Sequence, residues 1–82
     1  MRITTASGAI YEIINDICYK TDSDGNKLSP FKVLAIKTVP DDTPDWEALY
    51  ALPDTGATIG MRMYVYGMSD WWLSTKVVDI QV

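Results

Sequence analysis

Short runs in which apolar and polar residues alternate, separated by turn-forming clusters, dominate the chain and predict strands. Arg2–Thr5 is a short run rich in Thr and Ile. Ala6-Ser7-Gly8 is a turn cluster. In Ala9–Ile14, Tyr11 and Ile13 take one face, and Ile10, Glu12 and Ile14 the other. Asn15-Asp16 reads as a two-residue hairpin turn. In Ile17–Thr21, Ile17 and Tyr19 alternate with Cys18 and Lys20. These three runs predict an opening meander.

Asp22–Lys27 is almost wholly turn-forming. Phe31–Val39 follows and ends at Pro40. Simple alternation puts Phe31, Val33, Ala35 and Val39 on one face, with Leu34 and Ile36 on the other. A strand apolar on both faces is central, closes a barrel or meets another chain. Around residues 46–52 two readings stay open. Thr43 as N-cap and Pro44 at the first helical position begin a helix, with Trp46, Leu49 and Tyr50 spaced i, i+3, i+4. As a strand, the same stretch puts Trp46, Ala48, Tyr50 and Leu52 on one face. Pro53 stops either. Thr58–Gly67 predicts a strand with Ile59, Met61, Met63 and Val65 inward, and Arg62, Tyr64 and Tyr66 outward. Trp71–Val82 is long for one strand, and Ser74-Thr75 marks a bend in it. About six short, mainly antiparallel strands make an all-β fold, a small barrel or sandwich, with one short helix near 44–51 under the first reading.

Length and composition narrow the class. At 82 residues the chain is one domain, 1–82. Its 48% apolar and 11% aromatic content is too high for a disordered chain. A domain of this size buries roughly 60–65% of its unfolded surface, and such a core rarely supplies more than about 3–5 kcal/mol unaided. One Cys forms no internal disulfide. Without His, a zinc site lacks its usual ligands. The remaining support is a partner subunit, so a homo-oligomer is expected. The single Cys18 fits a reducing compartment. No leader pattern opens the chain, and no apolar run reaches the ~20 residues of a membrane helix. A soluble, cytoplasmic protein is expected, with no membrane partner.

The missing residues also narrow the chemistry. Without His there is no Ser–His–Asp triad, Cys–His pair or imidazole base. The five glycines, at 8, 25, 56, 60 and 67, match no phosphate-binding loop. Seven Lys/Arg against eleven Asp/Glu give a net charge of −4, which argues against nucleic acid as a partner.

The start Ile3-Thr4-Thr5-Ala6-Ser7-Gly8-Ala9-Ile10-Tyr11-Glu12-Ile13 and the end Ser74-Thr75-Lys76-Val77-Val78-Asp79-Ile80 resemble the two ends of short all-β proteins encoded by phages and prophages of actinobacteria. Those read TTxSGxxYxI at the start and STxVVxI at the end. The resemblance covers about a quarter of the chain. It implies a phage or prophage accessory protein and carries no catalytic residue across.

Four features are candidates for function. Asp22-Ser23-Asp24-Gly25-Asn26 begins like a calcium loop, but Lys27 stands where Gly is needed and Val33 where Glu is needed. A polar hairpin tip is the better reading. The stretch holding Asp41, Asp42, Asp45, Glu47 and Asp54 has no basic residue between Lys37 and Arg62. It reads as a solvated loop or as a face for a basic partner, and five carboxylates are too few to imitate a duplex with a charge every ~1.7 Å. Arg62, Tyr64, Tyr66 and Trp71 form an outward stripe, with Trp72 on the opposite face. Aromatic residues and Arg are enriched at interface centres, so the stripe is ranked as a subunit interface first, a host-protein site second and a nucleotide platform third. Cys18, beside Lys20, reads as an ordinary half-buried thiol. The expectation is a non-catalytic accessory protein that binds a host protein, without cofactor or metal. Two rivals are a sponge for a nucleotide signal and a minor virion component.

Overall fold

The computed structural model describes residues 1–42 and 46–82; the side chains of Trp46 and Glu47 fall outside that description. Six antiparallel strands, joined in sequence order, close into a barrel. They are β1 (Arg2–Thr5), β2 (Ile10–Ile14), β3 (Ile17–Thr21), β4 (Phe31–Val39), β5 (Arg62–Gly67) and β6 (Trp71–Gln81). Among the described residues one helix, α1 (Trp46–Ala51), lies between β4 and β5. It decides the ambiguous stretch in favour of the helix. The N-cap and first-turn signals at Thr43 and Pro44 lie outside the described residues. Among the described residues, no helix is long and apolar enough to cross a membrane.

Local chemistry explains the first three strands. Gly8, at φ 92°, ends a three-residue loop in which the Gly8 amide donates to the Thr5 carbonyl. That is the αL position such a hairpin favours. Asn15 and Asp16 both have positive φ, 49° and 64°, as a type I′ turn requires of its two central residues. The next loop folds around Asp22. Its Oδ1 accepts the amides of Asp24 at 3.0 Å and Asn26 at 2.9 Å, so this carboxylate serves the turn.

The later strands depart from simple alternation. In β4 the pairing with β5 slips between Val33 and Ala35. This bulge at Leu34 shifts the parity of the rest of the strand. Phe31, Val33 and Ile36 therefore join the barrel interior, whereas Val39 joins a separate cluster. The expected grouping of Val39 with Phe31 and Val33 is corrected accordingly. The strand expected over 58–67 begins only at Arg62. Gly56 and Gly60 have φ of 75° and 89°, which breaks an extended run. Ile59, expected inward, makes one parallel bridge to Val77 and is exposed. β6 slips twice, opposite Arg62/Tyr64 and opposite Thr4/Thr5. The first slip falls at the bend expected at Ser74-Thr75. The bent strand pairs with β5 and then β1, closing the barrel.

Two apolar clusters result. The interior holds Ile3, Ala9, Tyr11, Cys18, Phe31, Met63, Val65 and Val77, with Trp72 and Ile80 packed against them. The second cluster lies on the outer face of β4–β5–β6, where Val39, Tyr64, Tyr66 and Leu73 meet Leu49 and Leu52. Gly67 sits where the β5–β6 turn crosses β4. A Cβ there would stand 2.5 Å from a Phe31 ring carbon and 2.9 Å from two carbonyl oxygens. Gly67→Ala is therefore expected to destabilise the fold by about 1–3 kcal/mol through overpacking. Urea denaturation followed by circular dichroism measures this, and an unchanged midpoint would contradict the close approach.

Candidate functional site

Alternation along β5 sends Met63 and Val65 into the barrel, and Arg62, Tyr64 and Tyr66 out of it, as the sequence predicts. Facing out of the barrel is not the same as facing solvent. Tyr64 is 1% exposed because the chain's own α1 lies over it. The stripe is thus largely a second core, with Tyr64 as its buried floor rather than an exposed residue. Burial raises its phenol to about 12, helped by the hydroxyl of Tyr50.

Tyr50 is the member that sequence reasoning missed. Its ring meets Tyr64 edge-on at 6.1 Å and Tyr66 edge-on at 5.8 Å. Tyr64 stacks on Tyr66 at 6.2 Å, and Trp71 approaches Tyr64 at 6.3 Å. Pairs in these geometries stabilise beyond their buried area. The signal for Tyr50 was present in the i, i+3, i+4 spacing of Trp46, Leu49 and Tyr50. The result is a rim of Tyr50 (60% exposed), Tyr66 (half-buried) and Trp71 (46% exposed) over the floor of Tyr64.

What holds this rim is a lysine from the strand beneath. Lys37 is buried, and its Nζ donates to the Tyr50 carbonyl at 2.9 Å, with Asp54 at 3.7 Å. A cation at the last carbonyls of a helix satisfies an acceptor the helix cannot and suits its dipole. The last turn of α1 has no basic residue of its own. Arg62 lies on the same face of β5, but its Nε donates to the Ser74 carbonyl at 3.0 Å, across the β6 bend. Asp41 and Asp42 are exposed in the turn after β4. Asp45 and the Glu47 side chain lie outside the described residues. Among the described residues no three His, Cys, Asp or Glu side chains are grouped to hold a metal ion.

Inside the barrel, Lys20 is buried with Cys18. Its Nζ sits 3.2 Å from the Trp72 ring centre and 5.2 Å from that of Tyr11. Such cation–π contact replaces part of the lost hydration, while burial still pulls the ammonium below its ordinary value. Cys18 moves up to about 11, because burial outweighs the pull of Lys20. The thiol therefore stays protonated near neutrality.

Comparison with known proteins finds no matching family model, no matching curated protein and no matching solved structure.

Two outcomes are expected. Lys37→Met removes a buried charged donor from the Tyr50 carbonyl and is expected to cost about 1–3 kcal/mol, with loss of near-ultraviolet dichroism from the aromatic rim. Stability is also expected to fall at alkaline pH. Cys18 rises from 9.0 to about 11 and Tyr11 from 10.0 to about 12. A raised pKa means the fold holds the proton more tightly, so this stabilisation is complete below the unfolded values and is lost above them. Lys20, lowered from 10.5, contributes in the opposite sense as pH approaches that value. With Tyr64 also raised, the acids prevail. The urea midpoint should decline between pH 9 and 12, and Cys18→Ala should remove the earliest part of that decline. A flat profile would contradict the burial of these groups.

Proposed function

We propose that the protein is a non-catalytic binding module that engages a partner protein through the rim of Tyr50, Tyr66 and Trp71. The observation that carries this reading is the pairing of two half-exposed aromatic rings with a buried aromatic floor. Interface hot spots have this character. They are large aromatic groups held rigid by packing, so little side-chain entropy is lost on binding. The terminal resemblance supports an accessory role in a phage or prophage, which makes a cytoplasmic host protein the partner. Homo-oligomerisation belongs to the same reading, because a barrel of 82 residues gains stability from a second copy.

The test is a pull-down from an actinobacterial lysate with wild type, Trp71→Ala, Tyr50→Ala and the control Val78→Ser. Val78 is exposed on β6 and forms no part of the rim. Either rim variant is expected to lower retention of a stoichiometric partner about tenfold, as loss of a hot-spot residue does, while the control retains it. Unchanged retention in both rim variants would overturn the choice of surface. A native mass spectrum at a multiple of 9.2 kDa supports the oligomer, and one at the single-chain mass removes it.

A further inference from the structure

The net charge of the chain is concentrated in the stretch that carries the rim. Residues 37–71 hold two basic and six acidic side chains, which is the whole net charge of −4; the rest of the chain is balanced. Both basic side chains of that stretch are already engaged. Lys37 is buried, with its Nζ on the Tyr50 carbonyl at 2.9 Å and Asp54 at 3.7 Å. Arg62 has its Nε on the Ser74 carbonyl at 3.0 Å, at the end of β5 away from Tyr66. The carboxylates face solvent instead. The Asp54 side chain is 68% exposed beside the end of α1. Asp70 is exposed next to Trp71, and its Oδ1 accepts the Trp71 amide at 3.0 Å. Asp41 and Asp42 are exposed just past Val39, which packs beneath the rim.

The rings select the same sign of charge. An aromatic face is electron-rich, so it attracts a cation and repels an anion. The Tyr50 ring stands at 81° to Tyr66, with centroids 5.8 Å apart. Rings set nearly at right angles make a corner, and a cation placed in it lies against both. Tyr50 is 60% exposed and Trp71 46%, so these rings are open to a partner. An anionic surface would meet carboxylates here, and a second copy would bring an equally acidic rim to a symmetric contact. Like charges brought together across an interface are costly. A wholly apolar partner would leave the carboxylates without countercharge.

We propose that the partner taken by the rim presents a basic segment, and that an arginine of this segment seats its guanidinium against Tyr50 and Tyr66, beside Trp71, with Asp70 and Asp54 as countercharge. This rests on the reading of the rim as a protein-binding surface and adds the chemistry of what that surface takes. Arginine suits it better than lysine, because the planar guanidinium stacks on aromatic faces and is more weakly hydrated than an ammonium. The surrounding carboxylates also steer a basic segment toward the rim.

The test is a titration of the ¹⁵N-labelled full chain with a short capped peptide of alternating arginine and glycine, read by amide chemical shifts. A second titration uses the same peptide with citrulline for arginine, which keeps the shape and removes the charge. Saturable shifts centred on Tyr50, Tyr66 and Trp71 are expected, with the citrulline peptide about tenfold weaker. Trp71→Ala should weaken the arginine peptide about tenfold. Asp70→Asn keeps an acceptor for the Trp71 amide and removes the charge, and should weaken it about threefold. Absence of saturable shifts up to about 5 mM, at the weak end of specific affinity, would overturn the proposal. So would shifts centred elsewhere, equal affinity for the two peptides, or affinity unchanged in both variants. Rim shifts that grow with the concentration of the chain alone would put a second copy there and overturn it too. These failures are distinct from failure of the rim itself, which shows as unchanged retention of the partner by both Tyr50→Ala and Trp71→Ala in the pull-down.

Discussion

The slip of register at Leu34 is the constraint on which the rest of the architecture depends. Strict alternation from Phe31 and Val33 would send Ala35, Lys37 and Val39 inward and turn Ile36 outward. By inserting one residue, β4 sends Phe31, Val33 and Ile36 inward, then turns Lys37 and Val39 onto the outer face. One strand thereby feeds two apolar clusters. A small barrel cannot enclose all the aromatic bulk of this chain, and close packing leaves no slack for the excess. The excess is buried on the outer face by Tyr64 and Tyr66 of β5, and the bulge brings Val39 to the same cluster while Ile36 stays with the interior.

The outer cluster needs a lid, and the lid needs an anchor. Six helical residues are too few to hold together unaided. Leu49 and Leu52 supply apolar contact with Val39, Tyr64 and Leu73. Lys37 supplies the directional part, because its buried ammonium reaches the Tyr50 carbonyl and fixes where the helix ends. Tyr50 is placed over Tyr64 and Tyr66 by the same contact. Helix anchoring and rim geometry are therefore one arrangement, and the exposed rim is as rigid as the packing beneath it.

The interior carries its own charged device. Lys20 comes from a strand whose neighbouring side chain on the same face is the wholly buried Cys18. Its ammonium rests on Trp72, so β6 and β3 meet across the barrel through a cation and an indole. With Lys20 drawn inward, Glu12 and Tyr19 on the outer face of β2–β3, and Lys27 in the segment returning beside β3, stand exposed to solvent. The aromatic rim and this charged face thus occupy opposite walls of one small barrel, with unlike chemistry. The first is apolar and rigid, the second open and oppositely charged at its two sides.

Much of this was legible in the sequence, wherever a local rule decides. Asn15-Asp16 and Ala6-Ser7-Gly8 specify their turns through positive φ, so the first three strands are set locally. The limits of β4 come from Pro30 and Pro40, and the bend of β6 from Ser74-Thr75. The side of β5 on which Tyr64 and Tyr66 lie comes from a period of two. The exposure of Tyr64 was not legible, nor was the parity change at Leu34, the late start of β5 or the roles of Tyr50, Lys37 and Lys20. Each depends on a segment distant in sequence: α1 lying over β5, β5 setting the register of β4, Trp72 receiving Lys20. Periodicity says which residues share a face. Only the tertiary structure says what covers that face, because burial belongs to pairs of surfaces and not to one strand.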